Sequence, residues 1–156
     1  LKGFHGDTSR TFFVGSPRKK ATKLVEVCKE ALQRGIEVVK PGAKLGDIGA
    51  TIQNFAESHG YSIVREFCGH GIGVNFHEEP QILHYGKFGE GLEIKKGMVF
   101  TIEPMVNLGK PDLKILSDKW TAVTQDGEIS AQFEHTLCVT DNGFDVMTRL
   151  DGQTQF

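Results

Sequence analysis

The sequence predicts an α+β fold in which an antiparallel sheet is backed by two helices. Two observations predict it. Apolar residues recur at helical spacing from Leu24 to Ala56, and beyond Gly60 the pattern changes to two-fold alternation between runs of turn residues. Helices in one block and strands in another give the α+β order, not a βαβ repeat.

Residues 4–15 alternate well enough for a strand, with "RTFFVG" supplying aromatic and β-branched residues before Gly15. Ser16 is then placed to cap a first helix, with Pro17 at its first position. Leu24, Cys28, Ala31, Leu32 and Val39 fall near one face, and Pro41-Gly42 stops the run. A second helix is expected from about Leu45 to Ser58, with Ile48, Ile52, Phe55 and Ala56 on its stripe and Gly60 closing it. "YSIVREF" and "GMVFTIEPMVNLG" read as strands, the latter with Phe100 and Ile102 on one side and Thr101 and Glu103 on the other. Residues 121–143 read as a hairpin around Gln125-Asp126-Gly127, ending in a turn at Asp141-Asn142-Gly143.

The 156 residues, 38% hydrophobic and 24% charged, suit one globular domain over 1–156. A net charge of -2 lacks the surplus of Lys and Arg that a polyanion binder uses, so nucleic acid is not expected as a direct partner. The cluster Arg18-Lys19-Lys20-Lys23 reads as a solvated helix start. No stretch is long and apolar enough to cross a membrane, and "LKGFHGDTSR" has no signal-peptide core. Three cysteines, Cys28, Cys68 and Cys138, without a CxxC spacing suggest a reducing compartment and no disulfide framework.

The chemistry begins at "EFCGHGIGVNFHEEP", residues 66–80, which holds two of six histidines among three glycines. Neither GxGxxG nor a P-loop lysine follows, so a phosphate loop is a weak reading. His77-Glu78 does not continue into HExxH: position 81 is Gln, and Pro80 would disrupt the helix that motif needs. What survives is a glycine-rich strand or turn from which imidazoles approach a ligand closely, with hydrogen-bonded structural histidines as the blander reading.

Glu103 lies in the most apolar segment, where a carboxylate must be paired, protonated or bound to a cation. A salt bridge with Lys or Arg and a functional role are equally open there. Glu134 shares a face with Ser130, Gln132 and Thr136, which reads equally as the wet face of a sheet, and Asp7 alone reads as a turn residue. Together, Asp7, His70, Glu103 and Glu134 are three carboxylates and one imidazole on four separate segments. Such a set suits divalent Mn, Fe or Co and has enough acids for two ions.

In order, "GFHGDTSRTFFVG", "GHGIGVNFHEEP", "FTIEPMVN" and "SAQFEHTLCVTDNG" closely resemble the type I methionine aminopeptidases of the pita-bread metallopeptidase family. The likeness covers nearly the whole chain, including Trp120 in "DKWTAVTQDG". Prolidase and aminopeptidase P share the ligand scheme, but Glu134-His135-Thr136 and "HEEPQILHY" look like the methionine enzymes. The short interval from Glu103 to Glu134 leaves no room for the insertion of type II enzymes.

The resemblance implies a pita-bread fold and a metal-dependent aminopeptidase that removes the N-terminal methionine from nascent polypeptides by hydroxide attack at a dinuclear centre. Two divalent ions (Co, Mn, Fe or Zn) would be held by Asp7 and Glu134 as bridges, with His70 and Glu103 completing one shell. Glu103 would also shuttle a proton to the leaving amine. His77 would hydrogen-bond the substrate amide, and Phe76 and Trp120 would line part of the methionine pocket. The implied setting is cytoplasmic and monomeric, with the ribosome as a further partner. A non-catalytic pita-bread protein-binding module is the alternative, although every ligand position present in the chain is filled.

The family pattern has a fifth ligand, an aspartate on the strand just before the hairpin that carries Asp7, and an upstream histidine near the substrate. Both would lie before Leu1. The chain is therefore expected to be the C-terminal portion of such a domain, truncated at the N-terminus. As an isolated chain it is expected to bind its second metal poorly and hydrolyse little.

Overall fold

The apolar stripes place both helices. In the computed structural model, which describes residues 2–149, α1 spans Lys19–Glu37 and α2 spans Leu45–Ser58. Leu24, Cys28, Leu32 and Ile36 of α1 and Ile48, Ile52 and Ala56 of α2 are buried, and the two helices pack on each other. Gly35 makes that approach possible, since a Cβ there would sit 2.6 Å from Ile52 Cδ1. The expected bounds of α2 hold. The expected start of α1 does not: Ser16 makes no cap, Pro17 lies outside the helix, and Arg18 is the N-cap residue with extended backbone. Lys19–Glu37 starts two residues later than expected, because the backbone at Arg18 is still extended. At the other end, Phe55 is only half-buried, lying under the Arg34 guanidinium at 4.3 Å.

Beyond the helices the described residues form ten short strands: β1 (Ser62–Ile63), β2 (Gly69–Gly71), β3 (Glu78–Ile82), β4 (Val99–Ile102), β5 (Met105–Asn107), β6 (Leu113–Ile115), β7 (Ala122–Thr124), β8 (Ser130–Gln132), β9 (His135–Val139) and β10 (Phe144–Val146). They form a five-stranded sheet in the order β10-β9-β4-β2-β3, a three-stranded sheet β1-β5-β8 and the ribbon β6-β7, all antiparallel. Phe100, Ile102, Ile82, Leu137 and Val139 join the helix stripes in one core.

The single strand expected over 97–109 is two, β4 and β5, broken at Glu103-Pro104. Proline brings no N–H to the ladder, and the chain changes sheets there. Its neighbour breaks at the same level: β8 and β9 are separated by Phe133-Glu134. Both neighbours thus pass together from the five-stranded to the three-stranded sheet. Under this crossing the buried Cys28 thiol donates to Pro104 O (3.4 Å) and Ala131 O (3.2 Å), tying α1 to both strands. Burial pushes that thiol up to about 12.

Three other expectations are corrected. "YSIVREF" forms only the two-residue β1. Residues 4–15 form no strand beyond one bridge, Ser9 with Glu134, because their links to the sheet run mostly through threonine hydroxyls. The segment around Gln125-Asp126-Gly127 does turn, with Gly127 at φ 75, but the arms part. β7 pairs with β6 and β8 pairs with β5, so no hairpin forms. The turn at Asp141-Asn142-Gly143 closes as expected, with the Thr140 N–H donating to Gly143 O (2.9 Å) between β9 and β10.

The glycines around His70 are required by close approach. A Cβ on Gly69 would meet the Thr101 carbonyl oxygen, and one on Gly71 would lie 2.7 Å from the Glu79 carbonyl carbon. β2 is therefore pressed between β3 and β4 with no room for a methyl group. Gly71→Ala is expected to cost about 1–3 kcal/mol of stability, read by urea unfolding. A variant as stable as the parent would show that this contact is loose.

Candidate metal centre

Four segments deliver the site. β2 carries His70, the crossing strands carry Glu103 and Glu134 at their two breaks, and the extended segment 4–15 brings Asp7. This last segment is recruited by the break itself: the Glu134 N–H donates to Ser9 O (3.0 Å), and Thr8 Oγ1 donates to Glu134 O (2.8 Å). Ligand atoms of Asp7, His70 and Glu134 all lie within 4.8 Å of one another. Glu103 Oε1 lies beside them, 3.6 Å from His70 Nε2, while Asp7 Oδ2 is 3.9 Å from that same nitrogen.

Two threonines hold these groups in place. Thr101 and Thr136 are cross-strand partners on β4 and β9, and both are buried, so the face read as wet is covered at Glu134 and Thr136 and stays open at Ser130. Thr101 Oγ1 accepts the His70 N–H (3.0 Å) and donates to Glu103 Oε1 (2.9 Å), coupling two acting groups through one hydroxyl. Thr136 Oγ1 accepts the Asp7 N–H (3.0 Å) and donates to Asp7 O (2.7 Å). Gln132 Nε2 reaches Glu103 Oε2 at 3.4 Å. The salt bridge with Lys or Arg that the sequence left open for Glu103 is replaced by these neutral donors and His70.

His70 Nδ1 donates to Gly71 O (3.0 Å), which fixes the tautomer and leaves the Nε2 lone pair facing the acids. Burial, and then the charge of Asp7, pushes Glu103 up to about 7, although its bond from Thr101 opposes the shift. Burial, followed by the charges of Glu103 and Asp7, pushes Glu134 up to about 8. Glu134 is only 4% exposed, and its Oε1 is buried with no hydrogen-bond partner. A divalent cation fits this donor set: it would satisfy the orphaned oxygen and relieve the mutual repulsion of the acids.

A cleft of about 710 Å³ opens on the site, lined by Asp7, His70, His77 and Glu103 together with Phe67, Cys68 and Met105. His77 is exposed at its rim, edge-on to His70 with ring centroids 4.3 Å apart, and Phe76 packs edge-on to His77 at 4.6 Å. Trp120 is not brought to this cleft. It sits between β6 and β7 and is 88% exposed. Sequence reasoning missed Thr101 and Gln132 as partners of Glu103, and it missed His84, whose Nε2 accepts the Glu103 N–H (3.1 Å). The signal for the first two was their place on the same strand face as an acid; His84 carried no such signal.

Without metal, Glu103 and Glu134 keep their protons far above the ordinary value of 4.5. Between that value and about 8 the folded state binds more protons than the unfolded chain, so raising the pH destabilises the metal-free protein. Thermal melts are expected to show stability falling from pH 5 to pH 8 in chelator. Added Mn²⁺ should stabilise the protein increasingly over the same range, because it binds the ionised carboxylates. A metal-free melting temperature that rises across this window would contradict the assignment. In a separate test, Thr136→Val frees the Asp7 backbone and should weaken Mn²⁺ binding by roughly tenfold, measured by calorimetric titration.

Residues 1–141 match metallopeptidase family M24. Methionine aminopeptidase A of Synechocystis sp. is 59% identical over 148 residues, which cover 95% of this chain and 58% of that protein. The crystal structure of methionine aminopeptidase from Rickettsia prowazekii superposes with a TM-score of 0.94 at 53% identity, over 96% of this chain and 60% of that one. Prolidase from Pyrococcus furiosus superposes at 0.72 with 27% identity, over 96% of this chain and 38% of that one. The chain spans a little over half the length of the curated relatives it matches. Its architecture is the pita-bread fold expected from the resemblance, and the family chemistry uses divalent metal. On motifs, site geometry and superposition alike, this chain belongs to metallopeptidase family M24.

Proposed function

We propose that residues 1–156 are the C-terminal portion of a catalytic domain that removes N-terminal methionine from newly made polypeptides. The observation that carries this is the convergence of Asp7, His70 and Glu134 on one point, with Glu103 alongside, in a chain 59% identical to a methionine aminopeptidase. The 58% share of that relative's length supports the reading of a portion. Nothing in the comparisons favours the non-catalytic alternative.

Asp7, His70, Glu103 and Glu134 would hold two divalent ions, of Co, Mn, Fe or Zn, which when bound supply Lewis acidity at the scissile carbonyl. Asp7 and Glu134 would serve both ions, as the resemblance implies, and their ligand atoms lie within 4.8 Å of each other and of one on His70. The acidic cleft, with Glu78 and Glu79 on its lining, attracts the protonated amine of a peptide N-terminus. Glu103 would be the proton carrier, as the resemblance implies, taking a proton at a carboxylate oxygen and delivering it to the leaving amine. Thr101 and Gln132 keep that carboxyl aimed. His77 donates an N–H to the substrate amide from the rim, where negative charge develops. Phe76, packed edge-on to His77, would offer an apolar face to the methionine side chain, although neither Phe76 nor Trp120 lines the cleft. The setting is the cytoplasm, with nascent chains as substrates, the ribosome as a docking partner and a monomer as the working form. Free Cys28, Cys68 and Cys138 suit that compartment.

Release of free methionine from a Met-Ala-Ser peptide tests the proposal. It should require added Mn²⁺ or Co²⁺, disappear in Glu103→Ala, and run far slower than a full-length relative assayed beside it. Equal release by Glu103→Ala would remove Glu103 from the chemistry. His77→Ala should lower kcat by roughly 100-fold or more while metal binding is unchanged, as for loss of a donor to developing charge.

A further inference from the structure

Among the described residues, His84 is the largest fully buried polar side chain, and the mechanism above leaves it unused. It follows β3, is 0% exposed, and lines no part of the cleft. Its Nε2 accepts the backbone N–H of Glu103 at 3.1 Å. Its Nδ1 is buried with no hydrogen-bond partner. An imidazole that accepts at Nε2 carries its proton at Nδ1, so this ring is a neutral acceptor, and it gives up a bond at Nδ1 to remain one. A buried histidine held in that state has a reason for being there.

The reason lies in the strand crossing. Glu103 falls just past the end of β4 and is followed by Pro104, which has no N–H. At that break the Glu103 N–H has left the β4–β9 ladder, whose last register pair is Ile102 with His135. A buried amide without an acceptor would let the peptide rotate until it found one, and the carboxylate would turn with it. His84, two residues past the end of β3, supplies the acceptor. Thr101 and Gln132 then hold the carboxylate itself. Backbone and side chain of Glu103 are thus fixed by separate partners.

We propose that His84 is a positioning residue: by accepting the Glu103 N–H at the sheet crossing, it holds the Glu103 carboxylate in the orientation that binds metal. This rests on Glu103 being a ligand, as assigned above. His84 touches neither substrate nor ion, and its effect passes entirely through the Glu103 backbone.

Two measurements test it. The first uses the unmodified, ¹⁵N-labelled, metal-free chain: an N–H···N bond should give a trans-hydrogen-bond ¹⁵N–¹⁵N coupling between the Glu103 amide and His84 Nε2. Its absence overturns the proposal whatever the variants do. The second is calorimetric titration with Mn²⁺. His84→Leu, which removes the acceptor, should weaken binding by roughly 10–100-fold, the usual effect of losing a group that orients a ligand. His84→Gln, which returns an acceptor oxygen, should recover most of it. A purely structural histidine would lower the melting temperature of both variants and leave their Mn²⁺ affinity at the parent value, and that result overturns the proposal. Equal weakening by Leu and Gln overturns it too. If His84→Leu does not fold, the coupling and the His84→Gln affinity decide. Glu103→Ala is titrated alongside: parent-like Mn²⁺ affinity there would remove Glu103 from the metal site, a failure separate from any result at position 84.

Discussion

Everything at the site depends on one constraint: two neighbouring strands change sheets at the same level. The change interrupts the ladder at Glu103-Pro104 and at Phe133-Glu134. Regular pairing would satisfy the backbone there and leave each carboxylate on an ordinary alternating face. Interrupted pairing does neither. The Glu134 N–H takes the Ser9 carbonyl, which brings Asp7 to the site, and the Glu103 N–H takes His84. The requirement that buried amides find acceptors thus assembles the carboxylates.

The electrostatic consequence is a site that the protein alone does not complete. Glu134 is buried and Glu103 half-buried; they repel each other and Asp7, and face a single imidazole. The fold tolerates them without metal only by keeping protons on the acids, which ties stability to pH in the sense opposite to an ordinary salt-bridged carboxylate. A cation takes the place of those protons. Stability and metal affinity are coupled through the same oxygens.

Around this charge the fixed parts are neutral hydroxyls and carbonyls. Thr101 and Thr136 lie opposite each other, one joining His70 to Glu103 and the other holding the Asp7 backbone. Gly69 and Gly71 let β2 lie close enough for His70 to join them. Each contact is modest alone. Together they set the positions of four side chains from separate segments, the preorganisation a multi-ligand site needs.

Much of this was legible in the amino-acid sequence, and the division follows the range of the interactions. Helical periodicity and a closing glycine are local, and they gave α2 its observed ends and put Ile48 and Ile52 in the core, while two-fold alternation set Phe100 and Ile102 on one strand face. The four-motif pattern named Asp7, His70, Glu103 and Glu134 because ligand chemistry depends on residue type, which a sequence states directly. Strand partnership is not local. The turn at Gln125-Asp126-Gly127 was visible, but which strand each arm pairs with depends on residues 113–115 and 105–107. The same holds for Ser9 and His84, whose roles arise only where a distant strand leaves an amide without a partner. Side-chain identity determined which chemistry was available; tertiary structure decided which hydrogen bonds the strand crossing left open and so which residues aim that chemistry.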